Sequence, residues 1–146
     1  MSKDFERFTT KWGSLGNIIF QAIFLGAANF LYDKLPFINA EVFETFLPLI
    51  NITGAVIIIL HSINLSKPSK WMKSIAELGS TAVSVIITWN FLQNYPFQFN
   101  EWISGVDLDG IFRILMILGV VGGSIGFIVQ FAKSAWLYDH EDEANK

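Results

Sequence analysis

The sequence predicts an all-α fold: a polytopic membrane protein of four transmembrane helices in a bundle, with both termini cytoplasmic. Three observations predict it. The 10 Lys and Arg and 13 Asp and Glu residues all lie outside four long stretches. Lys and Arg crowd alternate connections, and Trp and Tyr gather at the stretch ends.

The charge-free stretches run from Trp12 to Tyr32, Thr45 to Ser66, Leu78 to Asn100 and Ile114 to Ala132, with lengths of 21, 22, 23 and 19 residues. A helix rising about 1.5 Å per residue needs about 20 residues to cross a hydrocarbon layer roughly 30 Å thick. Each stretch is therefore long enough, with spans at about 13–33, 44–65, 72–94 and 110–133 of a transmembrane domain over 1–138. A soluble bundle is excluded because its helices carry a charged face opposite the apolar stripe, and these stretches have none for five or six turns. Only 16% of the chain is charged, against about 25% in soluble domains.

The N-terminal arm, 2–11, reads as a short interfacial helix with Ser2 as N-cap and Phe5, Phe8 and Trp12 on one face. Gly26 and Ala28 mimic the small residues of a signal-peptidase site, but the apolar run continues to Tyr32, so the first span reads as an uncleaved anchor. The arm holds Lys3, Arg7 and Lys11; the second-to-third connection holds Lys67, Lys70 and Lys73; Lys133 and Lys146 follow the fourth span. The other two connections hold only Lys34 and Arg113. Positive residues stay on the cytoplasmic side, which sets the orientation. Trp12, Trp71, Trp136 and Tyr138 mark the inner boundary, and Tyr32, Tyr95 and Trp102 the outer one. The long outer connection, Tyr95 to Gly110, carries Phe97, Phe99, Trp102 and Ile103 and reads as lying on the membrane or capping the bundle. The acidic tail, 139–146, reads as solvated.

The two halves share a pattern. Thr10-Lys11-Trp12 matches Ser69-Lys70-Trp71, and Leu35-Pro36-Phe37 with Asn39 and Glu41 matches Tyr95-Pro96-Phe97 with Asn100 and Glu101. Two explanations stand: an internal duplication giving two related helical hairpins, or convergence, since Lys-Trp suits an interface and proline follows helix ends.

Two sets of residues stand out in the spans. In the fourth, Gly119, Gly122, Gly123 and Gly126 share one stripe, the small-residue pattern that lets helix backbones approach in lipid, and Ala22 and Gly26 of the first span offer a counterpart. In the third, Glu77, Thr81, Ser84 and Thr88 form a polar stripe. Asn17, Gln21, His61 and Gln130 recur at comparable depth, so Asn17, Gln21, His61, Glu77, Thr81 and Gln130 are a candidate polar pocket open to the cytoplasm. The plainer reading of the same residues is a set of interhelical hydrogen bonds.

No cysteine is present, which removes disulfides and thiolate chemistry. His61 and His140 cannot pair as haem ligands, Asp107-Leu108-Asp109-Gly110 lacks the remaining ligands of a calcium loop and reads as a helix cap, and no hydrolase elbow or basic nucleic-acid face occurs. The expectation is a non-enzymatic oligomerising or accessory subunit without cofactor. Its partners are the bilayer and further copies or other membrane subunits, in a prokaryotic cytoplasmic membrane. A small channel or transporter for protons, ions or a solute is the alternative.

Overall fold

The structure is a computed structural model that describes residues 3–103 and 105–140, with side chains from residue 11 onward. It is all-helical, with no strand among the described residues: α1 (Lys3–Phe30), a 3-10 turn (Tyr32–Lys34), α2 (Ala40–Glu44), α3 (Leu47–Ser66), α4 (Lys70–Gln93), α5 (Phe99–Trp102) and α6 (Leu108–Asp139). Four of these, α1, α3, α4 and α6, are long and apolar enough to cross a membrane.

The helix ends follow local chemistry. Asn39, Ser69 and Asp107 cap α2, α4 and α6 by accepting from the backbone N–H of Val42, Met72 and Gly110, at 3.2, 3.0 and 3.0 Å. Pro48 occupies the first turn of α3, where its missing N–H leaves no bond unmade. The expected arm over 2–11 has no helix break from the first span: α1 is continuous from Lys3, because nothing between Lys3 and Trp12 is a proline or glycine. The Ser2 cap and the face formed by Phe5 and Phe8 lie outside the described residues or side chains. The tail beyond His140 also lies outside them. The fourth helix runs to Asp139, six residues past its expected end. Its 32 residues span about 48 Å at 1.5 Å each, longer than a hydrocarbon layer.

Packing runs in series. α1 packs on α3, α3 on α4 and α4 on α6, while α1 and α6 share no comparable contact. The buried face of α3 is Ile50, Thr53, Gly54, Ile57, His61 and Asn64. That of α6 is the half-buried Met116, Val120, Gly123, Phe127 and Gln130, followed by the buried Ser134 and Leu137. Alternate steps of four and three are the knobs-into-holes period of closely packed helices. Close approach is concentrated at small residues: a Cβ on Gly54 would lie 2.6 Å from Leu25 Cδ2, one on Gly123 would lie 2.7 Å from Val85 Cγ2, and one on Gly79 would collide with Leu60.

The two ends differ chemically. At the end bearing α2 and α5, Ala28, Phe43, Phe46 and Ile50 form a buried apolar core joined by Leu25, Tyr32, Ile38, Val42, Leu47 and Phe91. There the two hairpin connections also meet. Asn39 N donates to Pro96 O at 2.8 Å and Gln98 N to Phe37 O at 2.9 Å, an antiparallel bridge centred on Ile38 and Phe97. The segments that carry the matching Pro-Phe pairs are thus the ones that pair. At the opposite end, Ser14, His61, Asn64, Ser74 and Ser134 place buried polar side chains on the helix seams.

Candidate functional site

Each helix seam is fastened by side-chain hydrogen bonds near the α3–α4 connection. Between α1 and α3, Asn64 Nδ2 donates to Ser14 Oγ at 2.7 Å. Between α3 and α4, His61 Nε2 lies 3.1 Å from Ser80 Oγ. Between α4 and α6, Gln130 Nε2 reaches Ser74 Oγ at 2.8 Å, Ser74 O at 3.2 Å and Glu77 Oε2 at 3.0 Å, and Ser74 and Ser134 hydroxyls meet at 2.8 Å. Ser14, His61, Asn64, Ser74 and Ser134 are all buried. Such bonds in lipid contribute about 0.6 kcal/mol each on average, so their number matters more than any one.

The six residues of the expected pocket are placed unequally. Glu77 and Gln130 are joined directly, and Lys73 Nζ lies 3.9 Å from Glu77 Oε1, one turn back on α4. His61 faces Ser80 instead. Gln21 is buried against Gly54, where a Cβ would lie 2.9 Å from its Nε2. Thr81 hydrogen-bonds its own helix, donating to Glu77 O at 2.9 Å. Asn17 is exposed on α1. Sequence reasoning missed Ser14, Asn64, Ser74, Ser80 and Ser134, although three were within its reach. Ser74 precedes Glu77 by three, Ser134 follows Gln130 by four, and Asn64 follows His61 by three, the spacings that share a helix face. Asn29 and Asn51 were missed too; their amides exchange bonds of 2.7 and 3.0 Å between α1 and α3.

The polar stripe lies on a groove. Ser80, Thr81, Ser84, Val85 and Thr88 of α4 face Gly119 and Gly123 of α6 around a space of about 350 Å³. Ser80, Thr81 and Ser84 each donate their hydroxyl hydrogen to the carbonyl four residues back, at 2.9 Å, so they present lone pairs to the groove.

The glycine stripe is mostly uncovered. Gly123 receives Val85, but a Cβ on Gly119, Gly122 or Gly126 would meet nothing within 4 Å. The expected counterpart in α1 is not brought to it. Ala22 is exposed, Gly26 faces open space, and α1 packs on α3. The face of α1 that meets α3 is Ser14, Gln21, Leu25 and Ala28, which leaves Ala22 on its flank.

The connection between α4 and α6 is tied by Asp109. Its Oδ1 accepts from Phe99 N at 2.9 Å and Tyr95 OH at 3.2 Å, and its Oδ2 from Asn100 N at 3.2 Å. Asn100 Nδ2 donates to Asp107 Oδ1 at 2.8 Å, which with the Gly110 N–H holds the Asp107 carboxyl below its usual range. Phe99 stacks on Phe112, Phe97 and Phe37 with centroids 4.4, 5.5 and 5.3 Å apart. Sequence reading gave Asp107 and Asp109 one shared capping role. The structure divides it: Asp107 caps and Asp109 ties the loop.

Burial, then the Asp109 carboxylate beside it, pushes the Tyr95 phenol up from 10.0 to about 12, against the opposing charge of Arg113, whose guanidinium carbon sits 4.4 Å over the ring. Raised in the folded state, this group contributes stability that is complete below pH 10 and lost as pH rises towards about 12. In alkaline unfolding titrations Tyr95→Phe is expected to flatten that loss; an unchanged profile would assign the loss to other groups.

Comparison with protein-family models, curated proteins and solved structures returns no match. The class defined by the fold is an all-helical protein with four helices fit to span a membrane.

Proposed function

We propose that this chain is a non-enzymatic membrane subunit that works by helix packing, and that the glycine face of α6 receives a transmembrane helix of another subunit. One observation carries the reading: Gly119, Gly122 and Gly126 form a small-residue face on the most apolar span, and no side chain among the described residues occupies it. Apolar burial gives helices little reason to associate in lipid, so association depends on close backbone approach, which such a face permits. The same chain seats Leu25, Leu60 and Val85 against glycines at its internal seams. The orientation follows from the excess of Lys and Arg in the N-terminal arm and the α3–α4 connection, which puts both termini in the cytoplasm and the Ser14, His61, Asn64, Ser74, Gln130 and Ser134 contacts in the inner half, with the Asn29–Asn51 pair in the outer half. A prokaryotic cytoplasmic membrane, no cofactor and no nucleic-acid partner complete the reading.

The second reading, a small channel or transporter, is favoured by the hydroxyl-lined groove between α4 and α6. The two separate experimentally. Native mass spectrometry from lipid nanodiscs is expected to give a complex of defined stoichiometry. Gly122→Ile with Gly126→Ile should weaken it by about 1.4 kcal/mol or more, tenfold in the association constant, leaving the chain folded. A wild-type chain that is always solitary, or a complex indifferent to both substitutions, would overturn the packing role. Solute flux from a solitary chain would favour the second reading.

A further inference from the structure

His61 and Asn64 lie one turn apart on the buried face of α3, 4% and 1% exposed, and each has one polar atom, His61 Nδ1 and Asn64 Oδ1, buried without a hydrogen-bond partner. The other atom of each side chain is engaged, and this fixes what the orphaned atoms are. Ser80 has one hydroxyl hydrogen, and it goes to Ala76 O at 2.9 Å. At its 3.1 Å contact with His61, Ser80 Oγ is therefore the acceptor and Nε2 carries the hydrogen. A neutral imidazole with its hydrogen on Nε2 has a bare lone pair at Nδ1. Asn64 spends an amide hydrogen on Ser14 Oγ at 2.7 Å, which leaves its carbonyl oxygen as the orphan. Both unpartnered atoms are thus acceptors, and neither can satisfy the other.

We propose that α1, α3 and α4 enclose a binding site for one water molecule, which donates one hydrogen to His61 Nδ1 and the other to Asn64 Oδ1. The ligand class follows from the donor set. Two lone pairs one helical turn apart call for a species with two O–H or N–H donors, and a buried water is held by two to four such partners. A metal ion is poorly matched, because a structural site supplies at least four ligands and no cluster of metal-binding side chains occurs among the described residues. The polar and titratable groups facing this site are Ser14 on α1 and Ser80 on α4, with Glu77 one turn before Ser80; Gln21 on α1 lies against Gly54, two turns before His61. The water would bring exchangeable protons to the imidazole about 8 Å inside the end of α3, counting five residues of 1.5 Å each. The proposal is independent of the role given to the glycine face.

The chain has two histidines, so His140→Gln leaves one imidazole, with two distinct ring nitrogens, in protein labelled with ¹⁵N-histidine. Solid-state NMR in lipid nanodiscs is expected to show hydrogen on Nε2, a bare Nδ1, and magnetisation transfer from water to Nδ1. Asn64→Leu removes one of the two acceptors and should abolish the transfer while the tautomer stays. Ser14→Ala, which spares both acceptors, should leave the transfer intact. Hydrogen on Nδ1 coupled to the Asn64 oxygen would mean that the two side chains satisfy each other, and would overturn the proposal. So would a dry Nδ1, or transfer that survives Asn64→Leu. Should Asn64→Leu fail to fold, the tautomer and water transfer of the unsubstituted site still decide the question.

Discussion

Gly123→Leu is expected to destabilise the protein by about 3 kcal/mol, the upper part of the range for overpacking a close contact. A Cβ there would lie 2.7 Å from Val85 Cγ2. Val85 is branched at Cβ and stiff about χ1, so it cannot swing aside. α4 and α6 must separate instead. The separation would stretch the contacts that Gln130 makes with Ser74 and Glu77, two turns along the same seam. The control is one residue away: Gly122 faces open space, and Gly122→Leu should leave the stability of the single chain unchanged. Equilibrium unfolding in mixed micelles measures both. Equal losses from the two substitutions would show that α6 does not sit on α4 as described.

The second large effect is expected at Asp109. One carboxylate accepts from Phe99 N, Asn100 N and Tyr95 OH, and Asp109→Ala removes all three bonds together. Hydrogen bonds to a charged acceptor contribute about 1.5–3 kcal/mol each when intact. Those on the exposed Asn100 side fall below that range, so a total loss of about 3 kcal/mol is expected. Asp109→Asn keeps an acceptor at Oδ1 and should lose roughly half as much. Protease sensitivity in the 95–107 segment should rise in the same order, because the ring stack of Phe99 on Phe112 depends on that carboxylate for its placement. If Asp109→Ala left the segment resistant, the aromatic stack would be holding the connection unaided.

The long helices were legible in the sequence because length and freedom from charge are one-dimensional properties. Charge-free length needs no knowledge of neighbours, and the structure has four helices long and apolar enough to cross a membrane. What surrounds a helix is a different question. Ala22 and Gly26 have the spacing of a packing pair, but spacing does not say which helix arrives, and α1 turns Gln21, Leu25 and Ala28 to α3 instead. The polar pocket failed to assemble in full for a similar reason. Comparable depth put Asn17 and His61 at one level, while rotation about the helix axis put them on different faces. Ser74 and Ser134 escaped notice because lone serines are common in such helices. They were nevertheless predictable from Glu77 and Gln130 by face. The Asp109 tie was out of reach, since it depends on a loop conformation that brings Phe99 N and Tyr95 OH to one carboxylate.

The serial order of the four long helices has a geometric consequence for stoichiometry. Among the described residues, α1 and α6 each pack extensively on one other long helix, so the row has two edges, much as an open sheet does. Copies that join α6 to α6 about a two-fold axis use up one edge on each molecule and stop at two. Copies that join α6 of one to α1 of the next leave an edge at either end of every assembly, so growth stops only if the row curves back into a ring. Were copies to associate, the surface used would decide between a finite pair and an array.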